Sequence, residues 1–283
     1  MQRLQQRSWS PPPIDNLGVY STGPRDHDTI SYPSIAHDLA SERSDPYEGF
    51  WVRHRVDVVS AKLRSLGIGV LWDVGAGNGN MAVPLSRLGF EIVAVEPFAS
   101  GAQVIARNSV TSICGTLDEL QLPSDSLPAI GMFDVMEHIE QPISLLKEVL
   151  RVLEPGGYCI VTVPSGQWLW GDIDDALGHY RRYSKGSLER EMSSAGFSRV
   201  VSESFFACLV PPAALVRALP YRLGIRRRSS NTVKQVSDQL SRPGIADKAV
   251  SAILRTEQRI AQSWQLPVGL SLLGVYQKPQ TDA

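Results

Sequence analysis

An apolar run, Gly69-Val70-Leu71-Trp72, leads into Asp73-Val74-Gly75-Ala76-Gly77-Asn78-Gly79-Asn80 and then into Met81-Ala82-Val83-Pro84-Leu85. A buried strand, a glycine-rich turn and the start of a helix follow one another, which is the arrangement that cradles a nucleotide-like ligand. Gly75, Gly77 and Gly79 can take backbone angles closed to other residues, and a missing β-carbon lets a ligand approach the main chain. This stretch constrains the fold more than any other.

Strand-like and helix-like segments alternate around it. Residues 50–67 read as a helix, with Val52, Val56, Val59 and Leu63 on one face and Gly67 as a stop. Strands are expected at 69–75, 91–97, 110–114, 129–135, 158–164 and near 199–206, with helices at 143–153 and 184–195. Strands alternating with helices imply a parallel sheet covered on both faces. The expectation is an α/β, Rossmann-like, doubly wound sheet of about seven strands, mostly parallel, with an N-terminal helical cap and a helical insertion before the last strand.

Four segments are expected. Residues 1–46 are polar and rich in Ser, Pro and Asp, and read as a flexible lead with order starting near Tyr47. Residues 47–206 form the ligand-binding core. Residues 207–267 are long for a connection and read as a helical lid over the acceptor. Residues 268–283 hold a final strand and a tail. In the insertion, Ala246, Val250, Ile253, Ile260 and Trp264 fall on one helical stripe together with Glu257. A buried acid needs a partner, and an arginine is expected there.

Composition narrows the function. Twenty-eight basic against 29 acidic residues, a net charge of -1, give no general pull toward nucleic acid. The 3 cysteines, Cys114, Cys159 and Cys208, are scattered and form no CxxC pair, which argues for a reducing compartment and against structural zinc. No apolar run reaches the roughly 20 residues of a spanning helix. A cytoplasmic protein is expected, monomer or homodimer, with weak membrane-surface contact through 219–228 as an option.

The spacing G-x-G-x-G places Asn80 where a dinucleotide site has its third glycine. Glu96 ends the second core strand, at about the distance where an acid reaches ribose hydroxyls. Asp73-Val-Gly-Ala-Gly-Asn-Gly-Asn, Ala94-Val-Glu-Pro, Phe133-Asp-Val-Met-Glu-His-Ile and Leu153-Glu-Pro-Gly-Gly resemble the ordered motifs of class I S-adenosylmethionine (SAM)-dependent methyltransferases over residues 50–206. The resemblance implies that Asp73, Gly75, Ala76 and Gly77 surround the methionyl part of SAM. It implies that Glu96 holds the ribose beside Pro97, and that Thr116, Leu117 and Asp118 flank the adenine. It also implies that Phe133 and Asp134 lie near the sulfonium and methionyl amino group, and His138 is expected among the cofactor-binding residues. Leu127-Pro128 departs from the acidic residue such relatives carry at the start of that strand.

Residues 168–184, WLWGDIDDALGHYRRYS, concentrate site-forming side chains past the fifth core strand. They resemble a subgroup with a D-x-x-x-G-H-x-R-R-Y segment, matched at Asp174, Gly178, His179, Arg181, Arg182 and Tyr183. A hydroxyl acceptor must lose its proton, and a histidine titrates near neutrality. His179 is therefore the expected base, with Asp174 as its orienting partner and His138 in reserve. Trp51, Trp168, Trp170, Tyr180, Arg181 and Arg182 are expected to line the acceptor, the arginines meeting an acidic group. A structural salt bridge from Asp174 to Arg182 is the competing reading. The expected activity is methyl transfer from SAM to a small molecule, at a hydroxyl oxygen, with no metal. Nitrogen or carbon transfer, a nicotinamide oxidoreductase and a non-catalytic SAM-binding protein are the alternatives.

Overall fold

The computed structural model describes residues 9–16, 18–22, 49–225, 245–261 and 263–280. Eight strands form one sheet: β1 (Val19–Ser21), β2 (Val70–Val74), β3 (Glu91–Glu96), β4 (Thr111–Cys114), β5 (Leu127–Phe133), β6 (Leu153–Pro164), β7 (Ser198–Phe205) and β8 (Ser271–Gln277). Their spatial order is β1-β4-β3-β2-β5-β6-β8-β7. β8 runs antiparallel to β6 and β7, and the other pairings are parallel. The order reverses between β2 and β5, where a doubly wound sheet opens a crevice at its strand C-termini.

Period-two alternation divides the strand residues between two layers. Trp72, Val74, Val93 and Val95 join one apolar cluster, and Leu71, Ile92 and Ala94 join the other. The long helices cover both faces: α1 (Phe50–Ser65), α2 (Ala82–Arg87), α3 (Ala99–Arg107), α4 (Ile143–Val152), α5 (Lys185–Ser194) and α6 (Ile245–Ala261). α4 buries Leu146, Val149 and Val152, each contributing about 1.5–3 kcal/mol of apolar burial. Ser184 caps α5 through a hydrogen bond from the Ser187 amide.

Three expectations change. The sheet has an extra edge strand, β1, inside the segment read as a flexible lead. Val19, Tyr20 and Ser21 pair with Ser112, Ile113 and Cys114, and Trp9 packs edge-on against Trp72 while donating to the Leu120 carbonyl at 3.0 Å. Three residues are too few to show a period. Residues 1–8 and 23–48, including Tyr47, lie outside the described residues, as do Arg226–Arg228. β6 starts at Leu153 and runs through Pro155-Gly156-Gly157. β5 starts at Leu127, and the pairing passes from Leu127↔Leu153 to Ala129↔Tyr158 because Glu154-Pro155-Gly156-Gly157 bulge out of β6 there.

α6 turns a different face inward. Leu254 and Glu257 are buried and Val250 is half-buried, while Ile253, Ile260 and Trp264 are exposed. Glu257 does not meet an arginine as expected. Its Oε2 accepts from the Cys208 amide at 2.8 Å, and its Oε1 lies 4.0 Å from His54 Nε2. Before Cys208 the chain leaves β7 through Phe206 at φ +61°, a left-handed angle rare for a bulky residue. Trp51 stacks on that ring at 4.1 Å and 6°. No described helix is long and apolar enough to cross a membrane.

Candidate active site

The glycine turn lies at the crevice between β2 and β5. Gly75 has φ +75°, and a Cβ there would lie 2.8 Å from Val135 Cγ2. Glu96, at the end of β3, accepts from the Gly77 amide through Oε2 at 2.6 Å and from the Phe98 amide through Oε1 at 3.0 Å. α3 packs so close that a Cβ on Gly101 would sit 2.4 Å from the Gly77 carbonyl oxygen. Asp73 is 1% exposed, and neither carboxyl oxygen finds a hydrogen-bond partner. Burial and the charge of Glu96 push its pKa up to about 8, against a pull from the Ala82 amide. A buried carboxyl that lacks a partner beside open main chain suits a ligand with a cationic end.

Asp134 leaves β5 at φ +56°, a left-handed conformation that Asp tolerates better than most residues. Its Oδ1 accepts from Thr162 Oγ1 at 3.2 Å, and its Oδ2 pairs with Arg55 of α1. Arg55 also donates to Thr162 at 2.7 Å. Arg55 and Thr162 were not singled out from sequence. The available signal was an arginine among the buried positions Val56, Val59 and Leu63 of α1. Phe133 is buried in the core layer beneath, and Thr116 is half-buried at the end of β4. Ala76 is buried with the α2 core and Pro97 is half-buried beside Glu96, while Asp118 is exposed. Leu117 departs from expectation: its side chain packs in the core with Leu120 and Leu122, so only its main chain can meet a ligand.

The 165–183 segment closes on itself through hydrogen bonds from Gly166 to the Tyr183 carbonyl and from Tyr183 to the Pro164 carbonyl. Inside it, Asp174 is fully buried and accepts from His179 Nδ1 at 2.9 Å and from Arg182 Nε at 2.8 Å. Burial alone would raise its pKa, but the His179 hydrogen bond and the Arg182 charge hold it below the ordinary value. The Tyr180 amide donates to the Glu137 carbonyl at 2.8 Å, tying the segment to the turn after β5. That tie brings the His138 ring to 4.7 Å from the His179 ring, in a T-shaped pair. Burial, and then the neighbouring imidazole, lower His138 to about 4, which leaves it neutral. Glu137 is 1% exposed, and burial and the charge of Asp134 raise its pKa well above the ordinary value.

The two arginines do not face an acceptor as expected. Arg182 spends its guanidinium on Asp174 and on the Ser165 carbonyl at 3.1 Å. Arg181 turns to the carbonyls of Ile139 and Glu140 and to Glu191. Arg182 thus satisfies a carbonyl within the 165–183 segment, and Arg181 satisfies two in the turn after β5. Trp170 is held by Asp175 at 2.9 Å, Trp168 and Tyr180 are exposed, and Trp51 belongs to the α1 packing. Arg217, from a π-helical stretch Ala214–Ala218, is the cation that does approach this region. Burial and the Arg182 charge lower its pKa while Asp174 raises it, and its Nε has no partner. Sequence reasoning missed it, because an arginine in an exposed apolar run reads as a solvated edge.

An open doubly wound sheet, with a glycine turn and two carboxyls at its switch point, defines a nucleoside-binding α/β protein. A family model for the methyltransferase domain matches residues 52–203, more than half of the chain, and the chain belongs to that family. A protein of Mycolicibacterium smegmatis named "Probable S-adenosylmethionine-dependent methyltransferase" is 32% identical over 168 residues, covering 56% of this chain and 65% of that protein. A ubiquinone biosynthesis O-methyltransferase of Bradyrhizobium sp. (strain ORS 278) is 31% identical over 102 residues, covering 34% of this chain and 40% of that protein. The chain thus matches less than two thirds of the length of these curated relatives. A solved structure from Thermotoga maritima, described as a SAM-dependent methyltransferase, shares the fold with a TM-score of 0.52 at 20% identity, over 87% of this chain and 92% of that one.

Proposed function

We propose that the chain is a SAM-dependent methyltransferase that acts on a hydroxyl oxygen of a small molecule. The donor reading is supported by the partnerless carboxyl of Asp73, which suits the ammonium of the methionyl end. A carboxylate has about four acceptor sites, so the amide bonds from Gly77 and Phe98 leave Glu96 compatible with ribose hydroxyls. Gly75, Ala76 and Gly77 border the ligand through main chain, Pro97 and Thr116 flank the nucleoside end, and Phe133, Asp134 and His138 stand at the transfer end. Bound SAM supplies an electrophilic methyl group that needs no activation by the protein.

One observation carries the oxygen reading: Asp174 holds His179 by Nδ1, so that Nε2 is the ring atom left to meet an acceptor proton. The tautomer follows from that hydrogen bond. Asp174 orients the ring and His138 packs against it. Arg217 is positioned to pair with an anionic group on the acceptor. We read the exposed apolar side chains Leu215, Val216 and Leu219 as the acceptor's cover and the exposed Trp168 and Tyr180 as its rim. The oxygen named for the Bradyrhizobium relative is consistent with this reading. The test is S-adenosylhomocysteine release with a panel of phenolic, sugar and other hydroxylated acceptors. His179→Ala is expected to cut turnover by about 100-fold, as loss of a general base does, with SAM affinity unchanged. Normal turnover in that variant removes His179 from the transfer. Arg217→Ala is expected to raise KM for acidic acceptors without changing SAM affinity.

A further inference from the structure

Glu137, His138 and His179 each offer one ligand-capable atom, and these atoms lie within 4.8 Å of one another. They come from two segments that the Tyr180–Glu137 main-chain bond brings together. The acids around them are matched: Arg55 pairs with Asp134, and Arg182 with Asp174. Glu137 is different. It is 1% exposed and its Oε2 has no hydrogen-bond partner, and the Arg55 and Arg182 guanidiniums that act on it are each paired with another acid. A buried carboxyl oxygen without a partner, in a group whose ligand-capable atom clusters with those of two imidazoles, can exchange its proton for a cation.

We propose that Glu137, His138 and His179 bind one divalent transition-metal ion of the zinc type. Two imidazoles and a carboxylate with an open fourth position make up a donor set of zinc sites that act on substrates. Imidazole donors select against magnesium and calcium, which prefer all-oxygen shells. Asp174 provides the outer support, since its hydrogen bond to His179 Nδ1 fixes Nε2 as the ligand atom. Ligands about 2.0–2.1 Å from a tetrahedral ion sit roughly 3.3 Å apart, so closure from 4.8 Å asks for side-chain shifts of about 1.5 Å at most.

The inference rests on the acceptor-side reading of this cluster and alters one part of it. Glu137, His138 and His179 would hold the ion, and a bound ion would stabilise the acceptor oxygen as its O–H bond breaks and the proton leaves to water. The oxygen's electron pair would then form the O–CH3 bond while the S–CH3 bond of SAM breaks, the sulfur keeping that pair as S-adenosylhomocysteine leaves. The absence of a CxxC pair bears only on cysteine sites, so the expectation of no metal did not weigh this set.

The test uses the full chain stripped with a chelator and titrated with Zn2+ against a chromophoric competitor, then with Co2+ read by its visible absorption. One ion per chain is expected. Losing an orienting partner typically costs about 10- to 100-fold in metal affinity, so losing a ligand in His138→Ala or Glu137→Gln is expected to cost about 100-fold or more, with the cobalt bands lost. Cys208→Ser is expected to bind as wild type. Two variants from the turn after β5 and one from the 165–183 segment (His179→Ala) guard against a single misfolded protein, with circular dichroism and SAM affinity as controls. Zn2+ binding equal in wild type and the His138→Ala/Glu137→Gln double variant overturns the site. Full turnover by stripped protein also overturns the catalytic ion while leaving the transfer reading intact. An ion bound by a chain that never binds SAM would sink the transfer reading instead.

Discussion

Asp73→Asn tests the donor pocket through its electrostatics. The Asp73 carboxyl ionises near 8 in the folded chain, raised by burial and then by Glu96, against about 3.9 when unfolded. The folded pKa lies above the unfolded one, so between them the native state keeps a proton that the unfolded state has lost. Stability therefore falls as pH rises from about 4 to about 8. At pH 7 the loss amounts to about three pH units at 1.36 kcal/mol each, or about 4 kcal/mol. Asparagine cannot ionise and carries no such slope. His54 and His138, both held near 4 chiefly by burial, act in the opposite sense between about 6.5 and 4. The informative quantity is thus wild type minus variant, from urea unfolding at pH 5, 6 and 7. That difference is expected to move against wild type by about 1.4 kcal/mol per pH unit. A cationic ligand end gives the carboxylate its partner, so SAM affinity of wild type is expected to rise by up to about tenfold per pH unit over the same window. In Asp73→Asn the rise disappears, and affinity at pH 7 falls by the roughly 1.5–3 kcal/mol of a charged hydrogen bond. Parallel stability curves, or a wild-type affinity indifferent to pH, would refute the reasoning.

Three further substitutions probe the frame. Gly101→Ala drives a methyl group against the Gly77 carbonyl oxygen, 2.4 Å away, and against Glu96 Cγ at 3.0 Å. Calorimetry is expected to show SAM binding weakened by about tenfold, about 1.4 kcal/mol, with the far-UV spectrum unchanged; equal affinity would break the link between α3 and the turn. Arg55→Met strips Asp134 of its cation, and breaking a buried pair costs about 3–5 kcal/mol. Asp134 is about a third exposed, so water offsets part of this and about 2 kcal/mol is expected by chemical denaturation, recovered in part by adding Asp134→Asn. Glu257→Ala leaves the half-buried Cys208 amide without its acceptor, at about 1 kcal/mol, and should speed hydrogen exchange along α6. Unchanged exchange there would mean that α6 docks without help from the Glu257 contact.

The parts of the fold legible in sequence are those whose local pattern and tertiary role agree. β2, β3 and β5 are apolar runs because both of their faces are covered, and the glycine turn follows β2 directly. α4 reads cleanly because its apolar stripe is also its buried one. α6 shows the limit. Its helical span is evident, but two overlapping stripes are available, one through Ile253, Ile260 and Trp264 and one through Val250, Leu254 and Glu257. They differ by about one residue, or 100° of rotation. Docking on α1, where Arg53 donates to Ser251 at 3.0 Å, selects the second, and no periodicity within α6 encodes that choice.

The site divides along the same line. Asp174 and His179 lie five positions apart on one loop, so their hydrogen bond was within reach of local reasoning. Arg182 forms with Asp174 the salt bridge that was the competing reading of this loop, while the other partners of Arg181 and Arg182 are main-chain carbonyls and Glu191, and a guanidinium carries no mark that tells a carbonyl from a ligand. Glu137 is harder still. Next to His138 it is one acid in a turn, and it gains meaning only when the Tyr180 amide bonds its carbonyl and brings His179 alongside. Arg55 and Thr162 converge on Asp134 in the same manner, from α1 and β6. Chemistry assembled at the end of a parallel sheet is contributed by strand ends far apart in the chain. A one-dimensional motif can therefore name the loops that will meet, but the charge of each group is set by which of its neighbours arrives paired. Asp134 and Asp174 arrive paired with arginines, and Glu137 and Asp73 do not. Those two buried acids are accordingly where the structure has the strongest electrostatic reason to take up a cation: an ammonium at Asp73 and a metal ion at Glu137.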